Sequence, residues 1–153
     1  MRGAGWAVSL AVDTSCKMND KAVFIFRQLP PANLHHFAVC PAEIDKLRFI
    51  LAPAAVIDLA RGLLQEHWPA GISKETPDLH GAHEFKLSGQ PFSGRHGTHE
   101  IHIRSFFCFF LVGLEKLGFE PVASCDVSAR HIRTENGPDY SNDTHSWFFA
   151  KKA

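Results

Sequence analysis

Ten histidines stand in a chain of 153 residues, and three of them, His96, His99 and His102, recur every third position. On a helix that begins early enough, that spacing brings the imidazoles near one face, where they can hold zinc. His80 and His83 precede the trio, and Glu84 and Glu100 supply carboxylates. The pattern is not that of a zinc-hydrolase helix. In His99-Glu100-Ile101-His102 the second histidine arrives one residue too soon for H-E-x-x-H. No cofactor is predicted; zinc on His96, His99 and His102 is the one that the residue types allow. The alternative is a set of solvent-facing imidazoles titrating near neutral pH.

A second group lies in Gly89-Gln90-Pro91-Phe92-Ser93-Gly94-Arg95-His96, between a predicted strand and a predicted helix. A phosphate-binding loop would sit at that junction. Here Arg95 stands where the loop needs lysine, and His96 where it needs a hydroxyl for magnesium. Pro91 also removes one N–H from the cradle. The segment can therefore offer an anion site near Arg95, but not the machinery of nucleotide hydrolysis.

The third group is the polar run from Asp126 to His145, which also holds Ser128, Arg130, His131, Arg133, Glu135, Asp139 and Asp143. Loops at strand ends are where mixed folds bind ligands. Ser128, His131 and Asp143 are the residue types of a nucleophile triad, yet no G-x-S-x-G elbow surrounds the serine. The candidate ligand pocket is thus Arg95, His96, Asp126, Ser128, His131 and His145. An enzyme or a phosphate-binding protein would centre its pocket on Arg95, His99 and Asp126.

The fourth group is aromatic. Phe24 and Phe26 on an early strand, with Trp147 and Phe148 near the end, could form one exposed platform if they share a sheet face. Thirteen phenylalanines against one tyrosine favour core packing over a wet surface. An RNP-type sequence and a basic stripe are both missing, which argues against nucleic acid as the partner.

The elements that would position these groups follow from periodicity. Residues 22–26 read as a strand ended by Pro30 and Pro31, residues 36–40 as a second, and residues 47–51 as a third leading into Pro53. Val56, Ile57, Ala60, Leu63, Leu64 and Trp68 form one apolar stripe at helical spacing, closed by Pro69 and Gly71. Residues 73–81 read as a mobile polar loop and 83–87 as a strand. Thr98 suits the N-cap of a second helix running to Leu117, with Gly118 able to leave it left-handed. Phe106, Phe107, Phe109, Phe110, Leu111 and Val112 make that helix apolar almost all round. Strands at 121–127 and 145–150 complete the chain.

Right-handed crossovers between successive parallel strands would set both helices on one face. The expectation is an α+β fold, a two-layer sandwich with a mixed sheet of about five to six strands. Its second face has no helix left to cover it.

Composition bounds the rest. At 45% hydrophobic and 21% charged residues, one domain of this length buries a core. Sixteen Lys and Arg balance sixteen Asp and Glu, so no global field draws the chain to nucleic acid or an acidic membrane. Cys16, Cys40, Cys108 and Cys125 form no C-x-x-C pair. The apolar opening, Met1 to Val12, is short for a signal peptide, and Phe106 to Leu114 is too short to span a bilayer. Residues 1–20 are expected to be a poorly ordered segment ahead of a single domain, 21–153, that is intracellular, cytoplasmic and not inserted in a membrane. The leading functional reading is a non-enzymatic binding module that engages a protein partner or a second copy of itself as a homodimer.

Overall fold

Alternation of apolar residues on four strands dictates the main sheet. Phe37 and Val39, Leu47 and Phe49, Phe85 and Leu87, and Trp147 and Phe149 are each two apart, so each pair shares a face. The computed structural model describes residues 2–12, 22–92, 97–126, 131–132, 140–141 and 145–152. A short 3₁₀ turn, Arg2–Ala4, leads into β1 (Trp6–Val12) and β2 (Val23–Gln28), which pair as a two-stranded antiparallel hairpin. Then come β3 (Leu34–Ala42), β4 (Lys46–Ile50), α1 (Ala54–His67), β5 (Ile72–Leu79), β6 (Ala82–Leu87), α2 (Gly97–Lys116) and β7 (Glu120–Cys125). Two short strands, β8 (His131–Ile132) and β9 (Tyr140–Ser141), pair with each other, and β10 (Ser146–Lys152) closes the chain.

The main sheet has six strands in the order β5-β6-β4-β3-β10-β7. Both helices pack on one face, giving the two-layer α+β sandwich. The sheet itself corrects the expectation of parallel crossovers, because every pairing in it is antiparallel. Tight turns at Glu43–Asp45 and at His80–Gly81 join successive strands directly, which only antiparallel neighbours allow.

The core fills the space between sheet and helices. From the sheet come Phe37, Val39, Leu47, Phe49, Phe85, Leu87 and Phe149; from α1 come Val56, Ile57, Ala60 and Leu64; and from α2 come Ile103, Phe106, Phe110 and Leu114. Phe49 meets Phe85 and Phe110 edge-on at 5.7 and 5.8 Å, a geometry the ring quadrupole favours. Trp68 is buried with its indole N–H donating to the Ser88 carbonyl at 3.2 Å. The helices approach closely at Gly113, where a Cβ would stand 2.7 Å from the Leu59 methyls. Gly118, at φ +81°, ends α2 as expected.

Three further expectations give way. Residues 6–12 are a strand, because the Trp6 to Val12 run finds a partner in β2. Residues 73–79 belong to β5; their polarity reflects an exposed edge, where only one flank of the strand is paired. Phe24 and Phe26 lie in the separate hairpin rather than in the main sheet.

Candidate functional site

The sheet face opposite the helices carries two different surfaces. Toward the β3–β4 turn it is polar. Cross-strand pairing aligns Thr76, Glu84, Arg48 and Cys40 in one row. Arg48 Nε donates to Glu84 Oε2 at 2.7 Å, and its Nη2 lies 3.7 Å from Glu43. Cys40 Sγ donates to Ser146 Oγ at 3.2 Å, and Ser146 in turn sits opposite Cys125. Burial pushes the Cys40 and Cys125 thiols up, Asp126 adding to the effect on Cys125. These cysteines are therefore held as thiols, not as nucleophiles.

Toward β10 and β7 the same face is apolar, and the hairpin stands beside it. Between them is a cleft of 310 Å³ lined by Trp6, Val8, Phe24, Phe26, His36, Val122, Ala123 and Phe148. The His36 Nδ1–H donates to the Leu34 carbonyl at 3.1 Å, since a carbonyl can only accept. The hairpin is apolar on its outward side as well: Leu10 and Ile25 are half exposed, and Val23 is 44% exposed.

Of the aromatic group, Phe24, Phe26 and Phe148 line this cleft, but Trp147 does not. Adjacent residues in a strand point to opposite faces, and Trp147 turns to the helix side, 4.5 Å from the Phe107 ring.

A second concavity lies at the other sheet edge. It measures 410 Å³ and is lined in part by Phe49, Ile57, Asp58, Arg61, Asp78 and His83. Arg61 links α1 to β5: Nη2 donates to Glu75 Oε1 at 2.7 Å and Nη1 to Asp58 Oδ1 at 2.6 Å. His83 Nε2 donates to the same Glu75 oxygen at 2.7 Å. Hydrogen bonds from Arg61, with a smaller part from His83, hold the Glu75 carboxyl below its usual range. The Arg61 guanidinium is pushed up by its hydrogen bonds to Glu75 and, to a smaller extent, to Asp58. Sequence reasoning missed this network; its only local trace is the i, i+3 spacing of Asp58 and Arg61.

The other candidates disperse. His99 packs on Trp68 with ring centroids 5.2 Å apart, tucked against Gly89. His102 lies one turn further along α2. Among the described residues no group of three or more His, Cys, Asp or Glu side chains could hold a metal ion, so His99 and His102 belong to no described metal cluster. His96 lies outside the described residues, as do Arg95 and Ser128. Asp126 is buried beside Cys125 at the end of β7, and His131 lies on β8. His145 is exposed, with Nδ1 3.3 Å from Ser124 Oγ. Among the described residues no helix is long and apolar enough to cross a membrane.

No curated protein matches the chain. A crystal structure of a conserved kinetoplastid-specific protein from Trypanosoma cruzi is similar at 16% identity, covering 78% of this chain and 94% of that one, with a TM-score of 0.42. A family model for a single protein domain matches residues 35–150, from β3 through β10, and the chain belongs to that domain family.

Proposed function

We propose that this is a non-catalytic interaction module whose contact element is the β1–β2 hairpin, and that it takes apolar side chains of a protein partner into the cleft beside Phe148. The observation that supports this reading is the hairpin itself. Trp6, Leu10, Val23, Phe24, Ile25 and Phe26 are all large, apolar and at least 36% exposed. They lie on both faces of the ribbon, and clusters of exposed large apolar side chains of this kind mark contact sites. The cleft lies at the small end of the range for ligand sites, roughly 300–1,000 Å³. Its lining is aromatic and aliphatic, with the His36 ring and the Trp6 indole carrying hydrogen-bonding groups. That composition suits a buried aromatic or aliphatic anchor ringed by weaker contacts.

The test is selection of peptides from a random displayed 12-residue library on the full chain, with a cleft-filling variant, Ala123→Trp, as counter-selection. The expected outcome is enrichment of Leu, Phe or Trp anchors whose binding falls at least tenfold in the variant while its melting temperature is kept. Enrichment indifferent to Ala123→Trp, or none, would overturn the cleft as the site that takes a partner's side chains.

A further inference from the structure

The open edges of the strands are treated differently across the molecule. At one end of the main sheet, β5 carries Lys74 and Pro77, and its register with β6 slips at both places. At the other end, β7 carries Pro121, and Val122 is bulged out of its register with β10. Proline removes a ladder donor, lysine resists apposition and a bulge bends the strand, so both edges are blunted against a further strand. In the hairpin, β1 has its own bulge at Ser9 and lies alongside β7. The outer edge of β2 is less guarded, with Arg27 as its one charge. Val23-Phe24-Ile25-Phe26-Arg27-Gln28 holds no proline, lysine or bulge of its own, and all six residues are exposed. Among the described residues no strand pairs with that edge.

We propose that the β2 edge pairs antiparallel with the β2 edge of a second copy, joining two hairpins into one four-stranded sheet across a two-fold axis at Ile25. The proposal deepens the reading of the hairpin as the contact element and rests on it. An unblunted edge offers a row of backbone N–H and C=O groups, so its natural occupant is another extended strand. A copy of β2 suits it because antiparallel pairing about a two-fold axis is self-complementary.

Charge and side-chain type then select the register. With Ile25 opposite Ile25, Phe24 faces Phe26 of the second copy twice, and aromatic cross-strand pairs are favourable. The one charged side chain of β2, Arg27, falls opposite Val23. The two guanidiniums thus lie at opposite ends of the pair. Sliding the register toward Gln28 would oppose Arg27 to Arg27, which like-charge repulsion penalises. In the chosen register the Phe24 and Phe26 rings stay on the cleft side, so both clefts open on the same face of the joined sheet.

The experiment uses the full chain with Cys16→Ser and Cys108→Ser, carrying either Ile25→Cys or Phe24→Cys. Sedimentation velocity up to 100 µM reports the subunit number, and mild oxidation with copper phenanthroline reports the register. The expected result is a dimer in which the Ile25→Cys chain cross-links to its own copy at least tenfold faster than the Phe24→Cys chain, since only position 25 faces itself directly. Ile25→Lys in the native chain should weaken the dimer at least tenfold with little change in melting temperature. A monomer throughout the range, or a dimer in which Ile25→Cys gives no preferential cross-link, would overturn the proposal. A monomer that still selects apolar peptides would leave the interaction reading standing, whereas a cross-linked dimer that selects none would remove only the cleft.

Discussion

Two regions of this molecule are built from the same residues and meet opposite fates. In the helix-packed layer, Phe49, Phe85, Phe106, Phe110 and Phe149 are at most 1% exposed. In the hairpin, Phe24 and Phe26 are 36% and 37% exposed. Local propensity cannot explain the contrast, since both sets alternate on β-strands or recur on an apolar helix. The difference is whether a second layer exists. The main sheet has α1 and α2 across from it, while a two-stranded ribbon has two faces and nothing of its own to place on either. Apolar content thus reports a need for a partner layer, and topology decides whether that layer comes from the same chain.

The largest expected effect tests the buried half of this contrast. Phe110→Ala removes a ring that meets Phe49, Phe106 and Phe149. Its loss should cost about 3–5 kcal/mol. At roughly 2–4 °C per kcal/mol for a domain of this size, the melting temperature should fall by about 10 °C. Phe24→Ser should cost less, about 1–2 kcal/mol, because Phe24 is already 36% exposed. Paired thermal melts check both. Equal losses would show that the hairpin is as well covered as the core, and the contrast would collapse.

A smaller effect separates the hairpin from the better anchored sheet edge at β5. There the Arg61, Asp58, Glu75 and His83 network ties α1 to the strand through charge rather than apolar contact. Glu75→Gln should cost about 1–2 kcal/mol near neutral pH, the range for hydrogen bonds to charged groups at a partly exposed site. The folded-state carboxyl is held below its ordinary value. Its contribution is therefore fully present above the unfolded value, about 4.3, and is lost as the pH falls through the lower folded value. Melting temperatures of the native protein and the variant should differ at pH 7 and converge as the pH falls through the lowered folded-state value. A gap that persists in acid would assign the cost to packing instead.

What the sequence made legible follows the same division. The stripe Val56, Ile57, Ala60 and Leu64 announces α1, because an amphipathic helix needs only its own period to be recognised. The all-round apolar α2 is also visible: Phe106 and Phe110 face the core, while Phe109 and Val112 are about half exposed. The strand character of 73–79 was hidden because an edge strand need not alternate cleanly, and Pro77 imitates a loop signal. Antiparallel topology was hidden because it depends on turns whose strained residues, Glu43 and His80, take positive φ without being glycine. The candidate sites divide likewise. Phe24, Phe26 and Phe148 are aromatic residues that any composition scan picks out. The partners of Glu75 come from positions 14 residues before it and 8 after, and only the folded chain brings them together.

The smallest and most discriminating effect concerns thiols, which probe the two faces without perturbing either. Cys108 is exposed on the outward side of α2, whereas Cys125 is fully buried and Cys40 partly so, both on the outer face of the main sheet. Alkylation proceeds through the thiolate, and burial raises both sheet cysteines while limiting access to them. In a Cys16→Ser background at pH 7.5, iodoacetamide should modify Cys108 on the order of tenfold faster than Cys40, and Cys125 more slowly still. Mass spectrometry of tryptic peptides over time reads the order directly. Rapid labelling of Cys125 would mean that the outer face opens readily around Ser146. The hairpin and the outer face would then form one mobile surface, rather than an exposed ribbon beside a closed sheet.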